Sequence, residues 1–302
     1  MRHVIWTQWD DLEVPEGIVR RSPSNTDLER DNLDDITIYV PTYAVGRPAL
    51  ELTRRMPNLK ILQMPNAGYE DALEFTRPGM TLCNGKGIHD ASTSELAVGL
   101  AIASLRGFPD FVRNQDKGAW VHKHQQTIND KRIALIGYGS IGKAIARILA
   151  GFDVTVVPFS RSGSDGSQKI SELDGQLPTF DIVILILPLN DESRKMFDKR
   201  RLGLLKDGAL VVNVARGGII DTDALVAELN SGRITAALDV TDPEPLPESH
   251  PLWRAPGLLI SPHVGGNTPA FAPRARRLIE SQLRRLAAGE RLENVIVPGD
   301  IS

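Results

Sequence analysis

Cys83 is the only cysteine of the chain, which excludes an internal disulfide framework and any cysteine-rich zinc site and suits a reducing compartment. Charge of one sign is lacking too: 35 Lys and Arg stand against 38 Asp and Glu, a formal charge of −3, with no long block of like charges. That balance argues against a nucleic-acid or anionic-membrane partner. Long apolar runs are also missing, since the longest, residues 182–187, falls far short of the roughly 18 residues of a membrane span. Near the start, Asp10 and Asp11 occupy the place where a signal peptide would need its apolar stretch. The expectation is a cytoplasmic protein with no membrane partner and no metal. No internal repeat is present, and the one biased stretch is a Ser/Gly loop at 162–167.

What is there is a succession of strand-length apolar runs separated by helical patterns, the signature of an α/β protein with buried parallel strands. At about 150 residues per domain, 302 residues suggest two domains. Runs at 133–136, 154–157, 182–187, 209–214, 234–240 and 258–260 predict a Rossmann doubly wound parallel sheet of six strands. Shorter runs at 4–6, 36–40, 59–63 and 81–83, interleaved with helical stretches at 47–56 and 70–75, predict a smaller flavodoxin-like α/β domain for the substrate. Between the groups, 93–110 reads as one small-residue helix capped by Ser92, Thr93 and Ser94 with Glu95 in its first turn. An amphipathic helix at 270–288 follows the last strand, and 295–297 returns to the small domain. The expected division is 1–91 with 289–302 for the substrate domain and 92–288 for the dinucleotide-binding domain.

The strongest motif is Gly137-Tyr138-Gly139-Ser140-Ile141-Gly142, a G-x-G-x-x-G between a predicted strand and a predicted helix. Gly137 permits the tight turn, Gly139 lets the backbone approach a pyrophosphate, and Gly142 lets helix and strand pack closely. At the end of the next strand, where an acid would bind the ribose 2′-hydroxyl of NAD, Ser160 takes the acid's place and Arg161 follows. A planar cationic fork suits a 2′-phosphate, so the expected cofactor is NADP, with NAD admitted as the second choice.

Three further residues lie just past strand ends, on the edge where open α/β sheets bind ligands: Arg216, Glu244 and His263. A carboxylate beside an imidazole stabilises its protonated form and makes it a general acid near neutral pH, while an arginine can pair with a substrate carboxylate. This set suits reduction of a 2-oxo acid.

With these motifs the chain resembles the D-isomer-specific 2-hydroxyacid dehydrogenase family over nearly its whole length. The turn at 137–142, Arg216-Gly217, the Asp-Val-x-x-x-Glu-Pro run at 239–245 and Pro262-His263 match the family's motifs. The resemblance implies that Arg216 binds and polarises the substrate, that His263 transfers the proton, that Glu244 sustains the imidazolium, and that Asp239 shapes the nicotinamide end. It implies substrate-carboxylate binding by the Ala67-Gly68 backbone, within 66–69. Cofactor contacts are implied at Ser140, Ile141, Leu187, Pro188, Ser193, Val214, Ala215 and Gly265. Asn190 stands where many members carry Thr, Glu244 rather than Gln counts against a formate dehydrogenase, and with an end at Ser302 the regulatory domain of longer phosphoglycerate dehydrogenases is not expected.

The leading expectation is thus an NADPH-preferring oxidoreductase acting on a small 2-oxo or 2-hydroxy acid of the glyoxylate or hydroxypyruvate type. A dinucleotide-sensing scaffold like the C-terminal-binding corepressors, and a dehydrogenase of a phosphorylated or inorganic substrate, stay open. A homodimer is expected through the helix 93–110 and the segment after it, with Phe108, Phe111 and Trp120 as aromatic anchors. The competing reading buries that helix between the two domains of one chain.

Overall fold

The computed structural model describes residues 2–300. The chain divides into two compact units, Met1–His89 with Pro269–Ser302 and Asp90–Thr268.

The first unit opens with β1 (His3–Trp6), β2 (Ile18–Arg21), β3 (Ile38–Tyr39), the short helix α1 (Arg47–Glu51), β4 (Ile61–Gln63) and β5 (Thr81–Cys83). Successive side chains of a strand face opposite ways, and both faces here are apolar. Ile5, Ile38 and Ile61 enter one core, whereas Trp6, Tyr39 and Leu62 enter the other. Two-sided burial is what parallel pairing demands, and β5, β4, β3, β1 and β2 pair in parallel in that order, the flavodoxin-like arrangement. Sequence patterning misses β2, whose Ile-Val-Arg-Arg run holds too few apolar residues for an edge strand to stand out.

The second unit begins with α2 (Asp90–Leu105) and α3 (Phe108–Asp116). The single helix expected at 93–110 is therefore two, broken where Gly107 takes φ 70°, a left-handed conformation that ends helices. The expected cap also moves: Ser92, Thr93 and Ser94 lie buried inside α2, and the Ser92 hydroxyl bonds that of Thr268 at 2.6 Å. There follow β6 (Arg132–Ile136), α4 (Ser140–Leu149), β7 (Thr155–Ser160), β8 (Gln168–Lys169), β9 (Ile182–Leu185), α5 (Lys199–Leu204), β10 (Leu210–Asn213), α6 (Thr222–Asn230), β11 (Thr235–Leu238) and β12 (Leu258–Ile260). All seven strands are parallel, in the order β12-β11-β10-β9-β6-β7-β8. This is the Rossmann order extended by one strand. The strand beyond the expected six is β8, a polar two-residue edge that no apolar run announces. Ala134, Ile136, Val183 and Leu185 face one core with Leu202, Leu225 and Leu229 of α5 and α6. Ile133, Leu135, Ile182 and Ile184 face the other, covered by Ala97 and Ala101 of α2 and by Ile145 and Leu149 of α4.

The chain returns to the first unit through α7 (Phe271–Ala287) and β13 (Val295–Val297). Phe271, Ala275, Ile279 and Leu283, four residues apart, pack with Ile5, Ile38 and Ile61, and β13 pairs antiparallel with β5. The residues 269–288, expected with the dinucleotide-binding region, thus cluster with the first unit: an amphipathic stripe states that a face is buried, not which sheet covers it. Among the described residues no helix is long and apolar enough to cross a membrane.

Candidate active site

In the second unit the expected residues gather along the carboxyl ends of the parallel strands. Past β6, Gly137 has φ 106°, and a Cβ there would lie 2.0 Å from the Ile186 carbonyl oxygen. Gly142, in the first turn of α4, would place a Cβ 2.2 Å from the Gly137 oxygen. Those two glycines serve the protein's own packing. Gly139 differs, because nothing lies within 4 Å of its Cβ position, and no side chain caps the α4 N-terminus that starts at Ser140 and Ile141. An open approach to uncapped helix N–H groups is what a dinucleotide pyrophosphate needs, so the residues fit the cofactor the fingerprint implies.

At the last residue of β7, the Ser160 hydroxyl is used within the following loop, bonding the Ser167 hydroxyl at 2.7 Å and accepting from the Gly163 N–H at 3.0 Å. Arg161 projects outward with its side chain 81% exposed, 3.9 Å from Glu192, so solvent weakens the ion pair. Past β9, Leu187 and Pro188 enter a loop closed by two side chains. Ser193 donates to the Pro188 carbonyl at 2.7 Å and accepts from the Asn190 N–H at 2.8 Å, and Asn190 Oδ1 accepts from the N–H groups of Glu192 and Ser193 at 3.0 Å each. Ser193, expected to touch the cofactor, is buried with its hydroxyl engaged in the loop. Asn190 in place of the usual Thr makes the turn-closing bonds that Asn makes more readily than Ser or Thr.

Past β10, Val214 and Ala215 are buried, and two neighbours fix Arg216: Asn213, which no motif singles out, and Gly217 of the Arg216-Gly217 motif. Asn213 accepts from the Ala215 N–H at 3.1 Å and donates to the Arg216 carbonyl at 3.0 Å. Gly217 brings its turn so close to the segment past β11 that a Cβ would stand 1.9 Å from the Thr241 oxygen. A glycine directly after the arginine was the available signal.

Past β11, Asp239 is buried and its carboxylate faces the loop after β12. Oδ1 accepts from the Ser261 hydroxyl at 2.7 Å and the Val264 N–H at 2.9 Å, and Oδ2 accepts from the Gly265 N–H at 2.9 Å. A Cβ on Gly265 would approach Oδ2 to 2.9 Å. Expected at the nicotinamide end, Asp239 and Gly265 together hold the loop that carries His263. That histidine sits at φ 53°, an uncommon conformation for a residue with a side chain, and its N–H bonds the Asp239 carbonyl at 2.8 Å. Its Nδ1 is hydrogen-bonded to Glu244 Oε1, which leaves Nε2 as the nitrogen available to a substrate. Burial pushes the Glu244 carboxyl upward, but the hydrogen bond and charge of His263, the Thr241 N–H and the Arg216 charge outweigh it and hold the group below the usual glutamate value. Glu244 therefore stays ionised at neutral pH.

Ala67 and Gly68 belong to the first unit, in the loop past β4. The loop's carbonyls are tied back: Asn66 accepts from the Gly85 N–H at 2.7 Å, Ala67 from Asn84 at 2.7 Å and Gly68 from Asn66 at 3.0 Å. The N–H groups of Ala67 and Gly68 donate to no backbone acceptor among the described residues, as a carboxylate-binding turn requires. Cys83 is inert, since burial pushes its thiol up to about 12. Among the described residues no group of His, Cys, Asp or Glu could hold a metal ion.

Residues 98–265 match the family model described as D-isomer specific 2-hydroxyacid dehydrogenase, NAD binding domain. The glyoxylate reductase of Thermofilum pendens is 30% identical over 284 residues, covering 89% of this chain and 83% of that protein. A D-isomer specific 2-hydroxyacid dehydrogenase family protein from Aeromonas salmonicida superposes with a TM-score of 0.84 at 25% identity, covering 98% of this chain and 99% of that one. The family's enzyme from Xanthobacter autotrophicus, solved with NADPH and MES, superposes with a TM-score of 0.77 at 25% identity and 99% coverage of both chains. With the fingerprint turn and the ionised Glu244 beside His263, these matches make the chain an NAD(P)-binding enzyme belonging to the D-isomer-specific 2-hydroxyacid dehydrogenase family.

Proposed function

We propose that the enzyme reduces a small 2-oxo acid of the glyoxylate or hydroxypyruvate type to the D-configured 2-hydroxy acid, with NADPH as the preferred cofactor. The observation that carries this reading is the His263–Glu244 pair beside Arg216, at strand ends next to the dinucleotide turn. The dihydronicotinamide supplies a hydride when bound. His263 Nε2 gives the proton to the carbonyl oxygen, Glu244 balances the positive imidazole, and Arg216 pairs with and polarises the oxo acid; on the first unit, the outward Ala67 and Gly68 N–H groups suit a carboxylate. The test is turnover of NADPH with a panel of 2-oxo acids, and absence of turnover with every member would favour a dinucleotide-sensing scaffold.

The cofactor preference rests on Arg161, exposed and weakly paired at the end of β7 where no acid stands. A charge-assisted hydrogen bond contributes roughly 1.5–3 kcal/mol, so Arg161→Ala should lower kcat/KM for NADPH by about 10- to 100-fold and leave that for NADH nearly unchanged. Equal efficiency of the two cofactors in the unsubstituted enzyme would contradict it.

Glu244→Gln removes the ionised carboxylate that is hydrogen-bonded to His263 Nδ1. A charge-assisted hydrogen bond contributes roughly 1.5–3 kcal/mol, so kcat for reduction should fall by about 10- to 100-fold while dinucleotide affinity stays close to that of the unsubstituted enzyme. An unchanged kcat would take Glu244 out of the mechanism.

A homodimer is the expected assembly. The segment after α2 exposes Phe108, Phe111, Val112, Trp120 and Val121, with Trp120 98% exposed, and α3 buries no residue. Clustered exposed aromatics of this kind mark protein interfaces. Light scattering behind a sizing column should give twice the 33.1 kDa chain mass, and Phe111→Ser with Trp120→Ser should shift it toward one chain mass. A single chain mass for the active, unsubstituted enzyme would exclude the dimer.

A further inference from the structure

The first unit contains an open cavity of about 310 Å³ lined by Lys86, Gly87, Ile88, Arg274, Arg277 and Leu278. Three of the six lining residues are cations and none is an acid. None of the three pairs with a carboxylate among the described residues, whereas two other arginines of α7 do: Arg276 bonds Asp11 at 2.8 Å and Arg285 bonds Glu293 at 2.6 Å. Lys86 and Arg277 are exposed and Arg274 half-buried, so the three cations face solvent with no carboxylate among the described residues to neutralise them.

The backbone beneath these side chains is ordered. Lys86 N–H donates to Asn84 Oδ1 at 3.2 Å, its carbonyl accepts from Asn294 Nδ2 at 3.2 Å, and the Ile88 N–H closes the turn onto Gly85 at 3.1 Å. Gly87, at φ 98°, has nothing within 4 Å of its Cβ position, which leaves that side of the loop open. On α7, Arg274 and Arg277 are three residues apart and so share one face, and Arg274 Nη1 bonds the Ala270 carbonyl at 3.0 Å. Planar guanidinium forks and an ammonium group around a small concavity match the geometry of a tetrahedral or carboxylate oxyanion. A volume of about ten waters at ~30 Å³ each admits a phosphate or a short organic phosphate, with Ile88 and Leu278 as an apolar wall.

We propose that Lys86, Arg274 and Arg277 form an oxyanion-binding site of the phosphate class on the first unit, built from none of the residues assigned to proton transfer. The loop that carries Lys86 is bonded to the Ala67-Gly68 loop through Gly85 to Asn66 and Asn84 to Ala67, so the anion has two sources to distinguish. It is either the distal group of the oxo acid itself or a separate effector.

Inorganic phosphate titrated calorimetrically into the full chain saturated with NADP⁺ is the test, with thermal midpoints recorded alongside. Saturable binding and a raised Tm are expected, with affinity weakened at least tenfold in Arg274→Gln/Arg277→Gln and also in Lys86→Gln, a change on the other wall that guards against misfolding of the helix variant. Given such binding, a rise in KM for a 2-oxo acid carrying a 3-phosphate on adding inorganic phosphate, with the KM for glyoxylate unchanged, assigns the pocket to the substrate's distal end, and the same response of both substrates assigns it to a separate effector. Absence of saturable binding, or equal affinity in both variants with native-like Tm, overturns the proposal. Phosphate-free turnover of NADPH with glyoxylate is read separately, so failure of this site is distinguishable from failure of the proposed reaction.

Discussion

His263→Gln is expected to lower kcat for reduction by about 10²- to 10⁴-fold, the usual contribution of a positioned proton donor, while dinucleotide affinity stays close to that of the unsubstituted enzyme. Glutamine retains hydrogen-bonding capacity and comparable reach but has no proton to transfer near neutral pH. The loop should keep its shape, because it is held by Asp239 through Ser261, Val264 and Gly265 rather than by the imidazole. Near-native Tm with lost turnover is therefore the expected pair of results. A loss of less than tenfold at the pH optimum would mean that another group supplies the proton.

Gly137→Ala should be the most damaging single-methyl addition at the dinucleotide turn. The residue combines a positive φ of 106° with a Cβ position 2.0 Å from the Ile186 oxygen and 2.5 Å from its carbonyl carbon. Neither side can withdraw cheaply, since the Gly137 N–H bonds the Phe159 carbonyl at 2.9 Å and the Ile186 N–H bonds the Ile136 carbonyl at 2.8 Å. Strain in the left-handed region and forced separation of two packed strands each cost about 1–3 kcal/mol. A displacement of about 1 Å at a positioning group typically costs 10²-fold in rate. Differential scanning calorimetry and cofactor titration should show both losses. Gly139→Ala is the matching control: with open space at its Cβ position, it should leave Tm nearly unchanged and weaken only dinucleotide binding. Wild-type stability and affinity in Gly137→Ala would show that the turn does not have this close approach.

The sequence carries the fold class wherever burial on two faces leaves an apolar run, as at 133–136 and 182–185. It is silent at β2 and β8, edge strands whose Arg-Arg and Gln-Lys residues carry no periodicity. Residue types at strand ends point to Arg216, Glu244 and His263, because acid, imidazole and guanidinium are chemically conspicuous. Their supports are less legible. Asn213 and Asp239 bond backbone N–H and C=O groups and Ser261 bonds the Asp239 carboxylate, bonds that any polar residue in a loop makes to some partner, so only the fold names the partner. Ser160 and Ser193 show the converse: both stand where ligand contacts are expected, and both hydroxyls are engaged within their own loops.

The division of the chain also bears on how it is made. The segment from Asp90 to Thr268 is continuous, whereas the first unit is split around it, and the face formed by Ile5, Ile38 and Ile61 is covered by α7 near the far end. About 180 residues separate the two pieces. At roughly 5–20 residues per second, a ribosome leaves that apolar face without its helix for on the order of 10–40 s. The inserted unit can complete its sheet in that interval, while the N-terminal piece waits as a partly built sheet with one apolar face uncovered, the kind of surface that is prone to aggregate.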